Sequence, residues 1–326
     1  MAPFEMLPAA CRIVQGSMGV KAGERVLVVT DTRCPHSVTA VLCEAAALCA
    51  AEPVVITMPP RTVGGQEPPT PVAMAMAAAD VVICQAHYAM AHTDAVRGAL
   101  AAGRRVLEFW GVEEEMLVEG GLTADYTQVD QLDADLVRRL EGARVARIRT
   151  AAGTDLTMTI EGRAVLALGG QPVPAGGGYF CSLPGGEVAL SPVEGSAEGV
   201  LVDPYLMEKR EIGHRKEPVR MEVHGGRVTA VEGGREAEIV KRMLSEADDA
   251  ARNIAEFALG TNRWCRPWAG IREAKKAYGT AHVAIGDSRT IGGNVSSSVH
   301  MDMIFTNPIV TIDERVIMSG GTIHLE

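Results

Sequence analysis

The sequence predicts an α/β protein with an N-terminal parallel-sheet domain and a C-terminal α+β domain of mostly antiparallel strands. Two observations support this prediction. Short β-branched runs alternate with alanine-rich stretches over about the first 125 residues, which is typical of a parallel sheet covered by helices. From about residue 145 the chain changes to short strands and glycine turns, which favours hairpins. At 326 residues the chain exceeds what one core usually serves, so we predict two domains, 1–140 and 141–326.

The elements of the first domain follow from this alternation. Strands are predicted at 25–30, 53–58, 81–84 and 105–109, with helices at 35–51, 71–79 and 93–102. No G-x-G-x-x-G follows the first strand, so a dinucleotide-binding version of the fold lacks support.

In the second domain we predict one long helix and a late strand pair. Apolar residues recur at steps of three and four from Arg235 to Leu259, which indicates an amphipathic helix. The runs 281–285 and 299–304 are apolar and β-branched, and a glycine-containing stretch lies between them. We therefore expect two strands joined by a loop.

Composition limits the partners of this protein. The net charge is −10 and no basic run occurs, which argues against binding to nucleic acid or to an anionic membrane. The N-terminus has no basic segment before an apolar one, as a secretory signal requires. Seven cysteines without a C-x-x-C pair indicate free thiols in a reducing compartment. We predict a cytoplasmic protein.

The late strands carry the most informative residues. His300 and Asp302 are two positions apart, so a strand places both on one face. His282 joins them from the neighbouring strand if the pairing register allows it. Imidazole and carboxylate groups in one place are ligands for a divalent transition metal. The sequence therefore predicts a metal site, whereas His282 alone would more often be an ordinary half-buried histidine.

Two glutamates are further candidates. Glu187 follows two glycines, where the backbone can approach an ion closely. Glu256 is placed one turn before the end of the predicted helix, in apolar surroundings, where a carboxylate needs a cation, a donor or a raised pKa. Taken singly, each is more often a solvated glutamate. Either one is also a candidate general base, and the sequence does not separate a base from a ligand.

The motifs L-P-G-G-E-V (183–188), H-V-A-I-G (282–286) and H-M-D (300–302) resemble the metallo-aminopeptidases of the aminopeptidase T and S type over roughly residues 180–320. The resemblance implies two metal ions, commonly zinc or cobalt, and a homodimer. We predict one or two divalent ions (zinc, cobalt or manganese) and hydrolysis of an amide or peptide bond in a small molecule or short peptide by metal-activated water. The resemblance also implies the following metal ligands: Glu187, Glu256, His282, His300 and Asp302.

The chain departs from this family at one ligand. A tyrosine follows the first histidine in the aminopeptidases, whereas Asp287 and Arg289 occupy that stretch here. Tyr278 is the nearest tyrosine in sequence. A missing tyrosine implies a weaker second metal position or a different chemistry.

The sequence is also similar to 2,5-dihydroxypyridine 5,6-dioxygenase, through the P-x-E-x-S-A-E-G stretch at 192–199 and the late H-x-D. That resemblance implies ferrous iron and cleavage of a dihydroxylated aromatic ring. The same resemblance implies that the dioxygenase has a histidine where this chain has Glu256, and apolar residues where this chain has Glu187 and His282. Because this chain keeps acidic and histidine residues at these three positions, the hydrolase is favoured. His92 matches a histidine that looks catalytic in the dioxygenase, although Thr93 as a helix cap explains the segment equally well.

Two other classes remain open from the residues alone. Cys84 lies near His87 and His92 in sequence, as in a nucleophilic-thiol enzyme, but a buried cysteine is common as a small apolar residue. A binding protein with a structural metal is the other class. An oxygen-rich ligand set is unlike the thiolate-rich sites of structural zinc, so catalysis is favoured.

Overall fold

The protein is described by a computed structural model over residues 3–325. The chain forms two compact units. One unit comprises the chain up to Asp130 together with Gly169–Gly185, and the other comprises Gln131–Leu168 together with the chain from Gly186 onward. This division differs from a single boundary at 140/141, because a segment from the second half of the sequence returns to the first unit.

Strands and short helices account for most of the chain. The strands are β1 (Arg25–Asp31), β2 (Glu52–Met58), β3 (Val81–Gln85), β4 (Arg105–Glu108), β5 (Val145–Arg149), β6 (Asp155–Thr159), β7 (Leu166–Ala167), β8 (Val173–Ala175), β9 (Gly178–Ser182), β10 (Glu187–Leu190), β11 (Glu198–Val202), β12 (Leu206–Met207), β13 (Gly213–His214), β14 (Val219–His224), β15 (Arg227–Gly233), β16 (Ile254–Gly260), β17 (Thr280–Gly286), β18 (His300–Thr306), β19 (Ile309–Ile312), β20 (Arg315–Ser319) and β21 (Thr322–Ile323). The helices are α1 (Pro3–Cys11), α2 (His36–Leu48), α3 (Thr70–Ala78), α4 (Asp94–Ala101), α5 (Glu114–Val118), α6 (Tyr126–Leu140), α7 (Arg235–Glu246) and α8 (Ile271–Ala274). Within residues 3–325, no helix has the length and apolar character needed to cross a membrane.

The first unit is built on a six-stranded sheet in the order β2-β1-β3-β4-β9-β8. The four predicted strands pair in parallel, with helices between them, and this confirms the predicted fold class. β9 extends the sheet in parallel beside β4, and β8 closes it antiparallel. β9 explains the return of Gly169–Gly185 to this unit, since its partner lies more than seventy residues earlier in the chain.

The second unit contains two antiparallel sheets. One has seven strands in the order β13-β12-β18-β17-β16-β10-β7, and the other has eight in the order β15-β14-β11-β6-β5-β19-β20-β21. Apolar side chains of both sheets and of α7 form one buried cluster, which includes Val188, Met221, Val240, Val283 and Val310. Burial of this cluster is the main source of stability for the unit.

The predicted helix at 235–259 is wrong in its second half. Helix α7 ends at Glu246, Ala247 has an extended backbone with φ −90° and ψ 174°, and β16 then begins at Ile254. Strands β10 and β17 flank β16 and satisfy its backbone hydrogen bonds. Such pairing overrides local helix preference, and alanines and isoleucine fit a buried strand as readily as a helix face. Glu256 is therefore a strand residue.

Candidate metal centre

Four adjacent strands present the predicted ligands on one face of the seven-stranded sheet. In β17 and β18, Ala284 is paired with Asp302, and His282 is paired with Ile304. Directly opposed residues of an antiparallel pair share a face, so His282, His300 and Asp302 lie on the same side. The predicted pair of strands is thus confirmed, and the role of these side chains as metal ligands stays a prediction.

The next two strands add the glutamates to that face. Glu256 is paired with Ala284, and Glu187 of β10 is paired with Gly260 of β16. A β-bulge between Ile254 and Glu256 turns Ile254 to the opposite face, into the apolar core. The alternate residues of all four strands also point into this core, among them Val188, Phe257, Val283, Met301 and Met303. Burial of that face fixes the register and so fixes which side chains meet on the other face.

The five side chains form two groups that share Glu256. In each group, one ligand atom from every member lies within 4.8 Å of the others; the groups are Glu187, Glu256 and His282, and Glu256, His300 and Asp302. Glu256 Oε1 is 3.3 Å from His282 Nε2, and Glu256 Oε2 is 3.2 Å from His300 Nε2. His300 Nε2 is also 3.1 Å from Asp302 Oδ1. The shared carboxylate joins the two groups into one cluster.

The donor atoms of the cluster fit a divalent transition metal. Glu187 Oε2 and His282 Nδ1 are buried and have no hydrogen-bond partner among the described residues. A buried carboxylate oxygen without a donor is costly, and a cation bound to it removes that cost. Asp302 and His282 are fully buried, whereas the His300 side chain is 32% exposed. The cluster is therefore accessible to solvent at His300.

Three residues of the centre have no signal in the sequence. Lys275 Nζ is 2.7 Å from Asp302 Oδ2, and Lys276 Nζ contacts Glu187 Oε1. The backbone N–H of Glu208 donates to the carbonyl of Asp302, and its carboxyl group interacts with Lys275, Asp302 and His300. Burial and the charge of Asp302 raise the pKa of Glu208 to about 7, although Lys275 opposes the rise. These residues belong to no motif, and only the fold brings them to the ligands.

His300 is oriented by the loop that precedes β18. Its Nδ1 is 2.8 Å from the carbonyl oxygen of Asp287, so Nδ1–H donates and Nε2 faces the carboxylates. Burial lowers the pKa of His300, but Asp302 and Glu256 outweigh burial and hold that pKa well above its ordinary value. Burial raises the pKa of Asp302, yet Lys275 and the histidines hold it well below its ordinary value. Without metal, His300 therefore keeps a proton at neutral pH.

Because His300 is protonated in the absence of metal, we predict that metal binding depends on pH. A metal ligand must be neutral imidazole, so binding displaces the His300 proton whenever the pH lies below the raised pKa. We expect release of about one proton per ion at pH 7 and an apparent Kd for Zn²⁺ that rises roughly tenfold for each unit that the pH falls. Calorimetry in two buffers with different ionisation enthalpies measures the proton count. An affinity for Zn²⁺ that is the same at pH 6 and pH 8 would contradict the expectation.

The remaining candidates are His92, Cys84 and Tyr278. His92 belongs to the first unit, where Thr93 Oγ1 caps α4 by accepting from the N–H of Val96, so its catalytic role stays a prediction. Cys84 is fully buried, and burial raises the pKa of its thiol well above its ordinary value, which disfavours a nucleophilic thiolate. Tyr278 accepts from the N–H of Ile323.

Several known proteins share sequence or fold with this chain. A curated 2,5-dihydroxypyridine 5,6-dioxygenase of Pseudomonas putida is 25% identical over 199 residues, which are 56% of this chain and 55% of that protein. The alignment thus spans about half the length of this curated relative. The structure of 2,5-dihydroxypyridine dioxygenase from Pseudomonas putida KT2440 matches with a TM-score of 0.81 at 20% identity, covering 99% of this chain and 98% of that one. AmpT from Thermus thermophilus matches with a TM-score of 0.70 at 17% identity, covering 98% and 99%.

These two structural matches show a shared fold. Membership of the aminopeptidase family, the first resemblance drawn from the motifs, is not confirmed. A family model described as 2,5-dihydroxypyridine 5,6-dioxygenase, NicX, matches residues 6–325, which is nearly the whole chain. The chain therefore belongs to the 2,5-dihydroxypyridine 5,6-dioxygenase family.

Proposed function

We propose that this enzyme is a metal-dependent dioxygenase that opens the ring of a dihydroxylated pyridine or a similar aromatic compound. The observation that carries the proposal is the convergence of Glu256, His300 and Asp302, with His300 exposed at the edge of the cluster. These three residues would hold one ferrous ion. Ferrous iron held there would supply the activation of dioxygen for ring cleavage. The usual site for such iron has two histidines and one carboxylate, whereas this group has one histidine and two carboxylates. Membership of the dioxygenase family supports this function over hydrolysis.

The residues around the ligands hold and move protons. Lys275 fixes one oxygen of Asp302 and leaves the other directed at His300. A hydroxylated aromatic substrate that binds metal through its oxygens must lose a proton. The carboxyl group of Glu208 interacts with Asp302 and His300, so it would lie close to an ion held by these ligands and is a candidate acceptor for that proton.

A two-metal hydrolase is the second candidate, and one observation favours it. The group of Glu187, Glu256 and His282 provides another set of ligands, and Glu256 would bridge the two ions. Two ions joined by a carboxylate are typical of enzymes that activate water for hydrolysis. A dihydroxypyridine dioxygenase consumes dioxygen and a two-metal hydrolase does not, so a measurement of oxygen uptake distinguishes the two candidates.

Oxygen uptake tests the proposal. Protein prepared without oxygen and loaded with Fe²⁺ is mixed with 2,5-dihydroxypyridine in an oxygen electrode, and we expect one dioxygen consumed per ring opened. Zn²⁺-loaded protein should consume none. His300→Ala should lower the rate by more than about a hundredfold, because it deletes a proposed ligand and even residues one shell outside a metal change affinity or activity by 10- to 100-fold. His224→Ala is the matched control, since His224 is an exposed surface histidine that pairs with Glu198.

The same preparations are then assayed for cleavage of amino-acid amides and short peptides in the absence of oxygen. Hydrolysis by Zn²⁺-loaded or Mn²⁺-loaded protein, without oxygen uptake by the Fe²⁺ form, would contradict the dioxygenase proposal and favour the two-metal hydrolase.

A further inference from the structure

The loop before β18, residues 287–299, leads directly into His300, and a carboxylate from a distant part of the chain holds it. Asp248 Oδ2 accepts hydrogen bonds from the N–H and the Oγ of Ser298, each at 2.7 Å, and from Ser297 Oγ at 3.1 Å. The hydrogen bonds from Ser298 and Ser297 lower the pKa of Asp248 to about 2. The carboxylate is therefore ionised near neutral pH, and it anchors the end of the loop next to His300.

Asp248 does not serve the helical turn that it precedes. It occupies the N-cap position of a short 3-10 helix, Asp249–Arg252, where an aspartate normally accepts a hydrogen bond from an N–H of the first turn. Within the described part of the chain, its side chain makes no capping hydrogen bond to that helix. The carboxylate is directed instead at the loop before β18, so a local role does not account for its position.

The segment that follows Asp248 holds the other end of the same loop. Gly286, the last residue of β17, donates its N–H to the carbonyl of Asn253 at 2.8 Å, and Asn253 Nδ2 donates to the carbonyl of Gly286 at 3.2 Å. Residues 248–253 therefore contact the chain where the loop leaves β17 and again just before it enters β18. Because β16 follows this segment directly, the same residues connect the loop to the strand that carries Glu256.

The two ends of the loop together orient the ring of His300. The N–H of Asp287 donates to the carbonyl of Val299 at 2.7 Å, and the carbonyl of Asp287 lies 2.8 Å from His300 Nδ1. The N–H of Ser297 also donates to Asp287 Oδ2 at 3.1 Å. The carbonyl that fixes the ring thus depends on residues that Asp248 holds. Since the His300 side chain is 32% exposed, packing alone restrains it weakly.

We propose that Asp248 is a positioning residue for His300: its carboxylate fixes the end of the loop before β18, and the loop then presents His300 Nε2 to the metal. Hydrogen-bonding groups one shell outside a metal change affinity by 10- to 100-fold. Asp248 acts one step further out, so we expect an effect at the lower end of that range. This inference rests on the proposed function, because it takes His300 as a metal ligand.

Metal affinity tests this role without any activity assay. Metal-free full-length protein is dialysed to equilibrium against a series of Co²⁺ concentrations, and the bound metal is measured per folded chain. We expect the Kd of Asp248→Ala to rise about tenfold. Asp248→Asn keeps an oxygen that accepts from Ser298 and should bind Co²⁺ nearly as the wild type does. Asp125→Ala is the matched control, since Asp125 is an exposed aspartate of the first unit that accepts from the N–H of Thr127, and its Kd should be unchanged.

Hydrogen exchange provides a second readout, which reports the loop itself. Backbone N–H groups of residues 296–299 should exchange faster in Asp248→Ala than in the wild type, while those of β17 should exchange at the same rate. Near-ultraviolet circular dichroism establishes that each variant is folded. If Asp248→Ala does not fold, a double variant with Ser297→Ala and Ser298→Ala removes the two hydroxyl donors from the loop side, and its Kd should also rise.

Three results would overturn the inference and leave the proposed function standing. The first is a wild-type Kd in folded Asp248→Ala. The second is an equal rise in Asp248→Asn, because the lost charge would then act on the ion through space. The third is an equal rise in Asp125→Ala, which would indicate a general loss of stability. A wild type that binds no ion would instead contradict the proposed function, and this inference with it.

Discussion

Glu256→Gln should abolish metal binding and turnover while the protein stays folded. Glu256 faces His282 through one oxygen and His300 through the other, so both ligand groups depend on it. Glutamine has the same shape, but it removes the negative charge and places an amide N–H₂ against an imidazole. We expect metal affinity to fall on the order of a hundredfold or more, since even residues one shell outside a metal change affinity by 10- to 100-fold. Elemental analysis after dialysis and oxygen uptake measure the two effects.

Glu198→Gln is the control for this change. Glu198 Oε2 lies 3.2 Å from His224 Nδ1 in an exposed pair, so the same substitution alters the same kind of contact outside the centre. Metal content and rate should remain at the wild-type level. A Glu256→Gln protein that keeps its metal and its rate would exclude Glu256 as a ligand and would remove the connection between the two groups.

Phe257→Ala, one residue further along β16, should lower the stability of the protein and leave its metal binding unchanged. Phe257 is 1% exposed and packs in the core on the other face of the sheet. Removal of a buried phenylalanine costs about 3–5 kcal/mol, from lost burial and from the cavity left behind. We expect that loss in the free energy of unfolding of the second unit, measured by urea denaturation of the full chain. The metal content per folded chain should be unchanged, because this side chain points away from the ligands.

Phe4→Ala is the control, since Phe4 is 75% exposed and its removal should change stability by less than about 0.5 kcal/mol. If Phe257→Ala unfolds at the wild-type urea concentration, the face assignment of β16 is wrong. The same result would put the position of Glu256 in question, because neighbouring strand residues point to opposite faces.

The sequence determined those features that depend on neighbours along the chain. The two-residue spacing of His300 and Asp302 sets their common face, because side-chain alternation is a property of any extended strand. The β-branched runs that became β1, β3 and β4 were likewise predictable, since strands of a parallel sheet are buried on both faces. The motif L-P-G-G-E-V singled out Glu187 before any partner strand was known.

Tertiary structure decided the features that depend on distant segments. Glu256 lies on a strand because β10 and β17 pair with it, whereas the local apolar spacing predicted a helix. The return of β9 to the first sheet rests on pairing with β4. Lys275, Lys276 and Glu208 are brought to the ligands by the fold alone. Periodicity is local, but register and long-range pairing follow from burial of a whole sheet face, and the chemistry of this centre depends on that register.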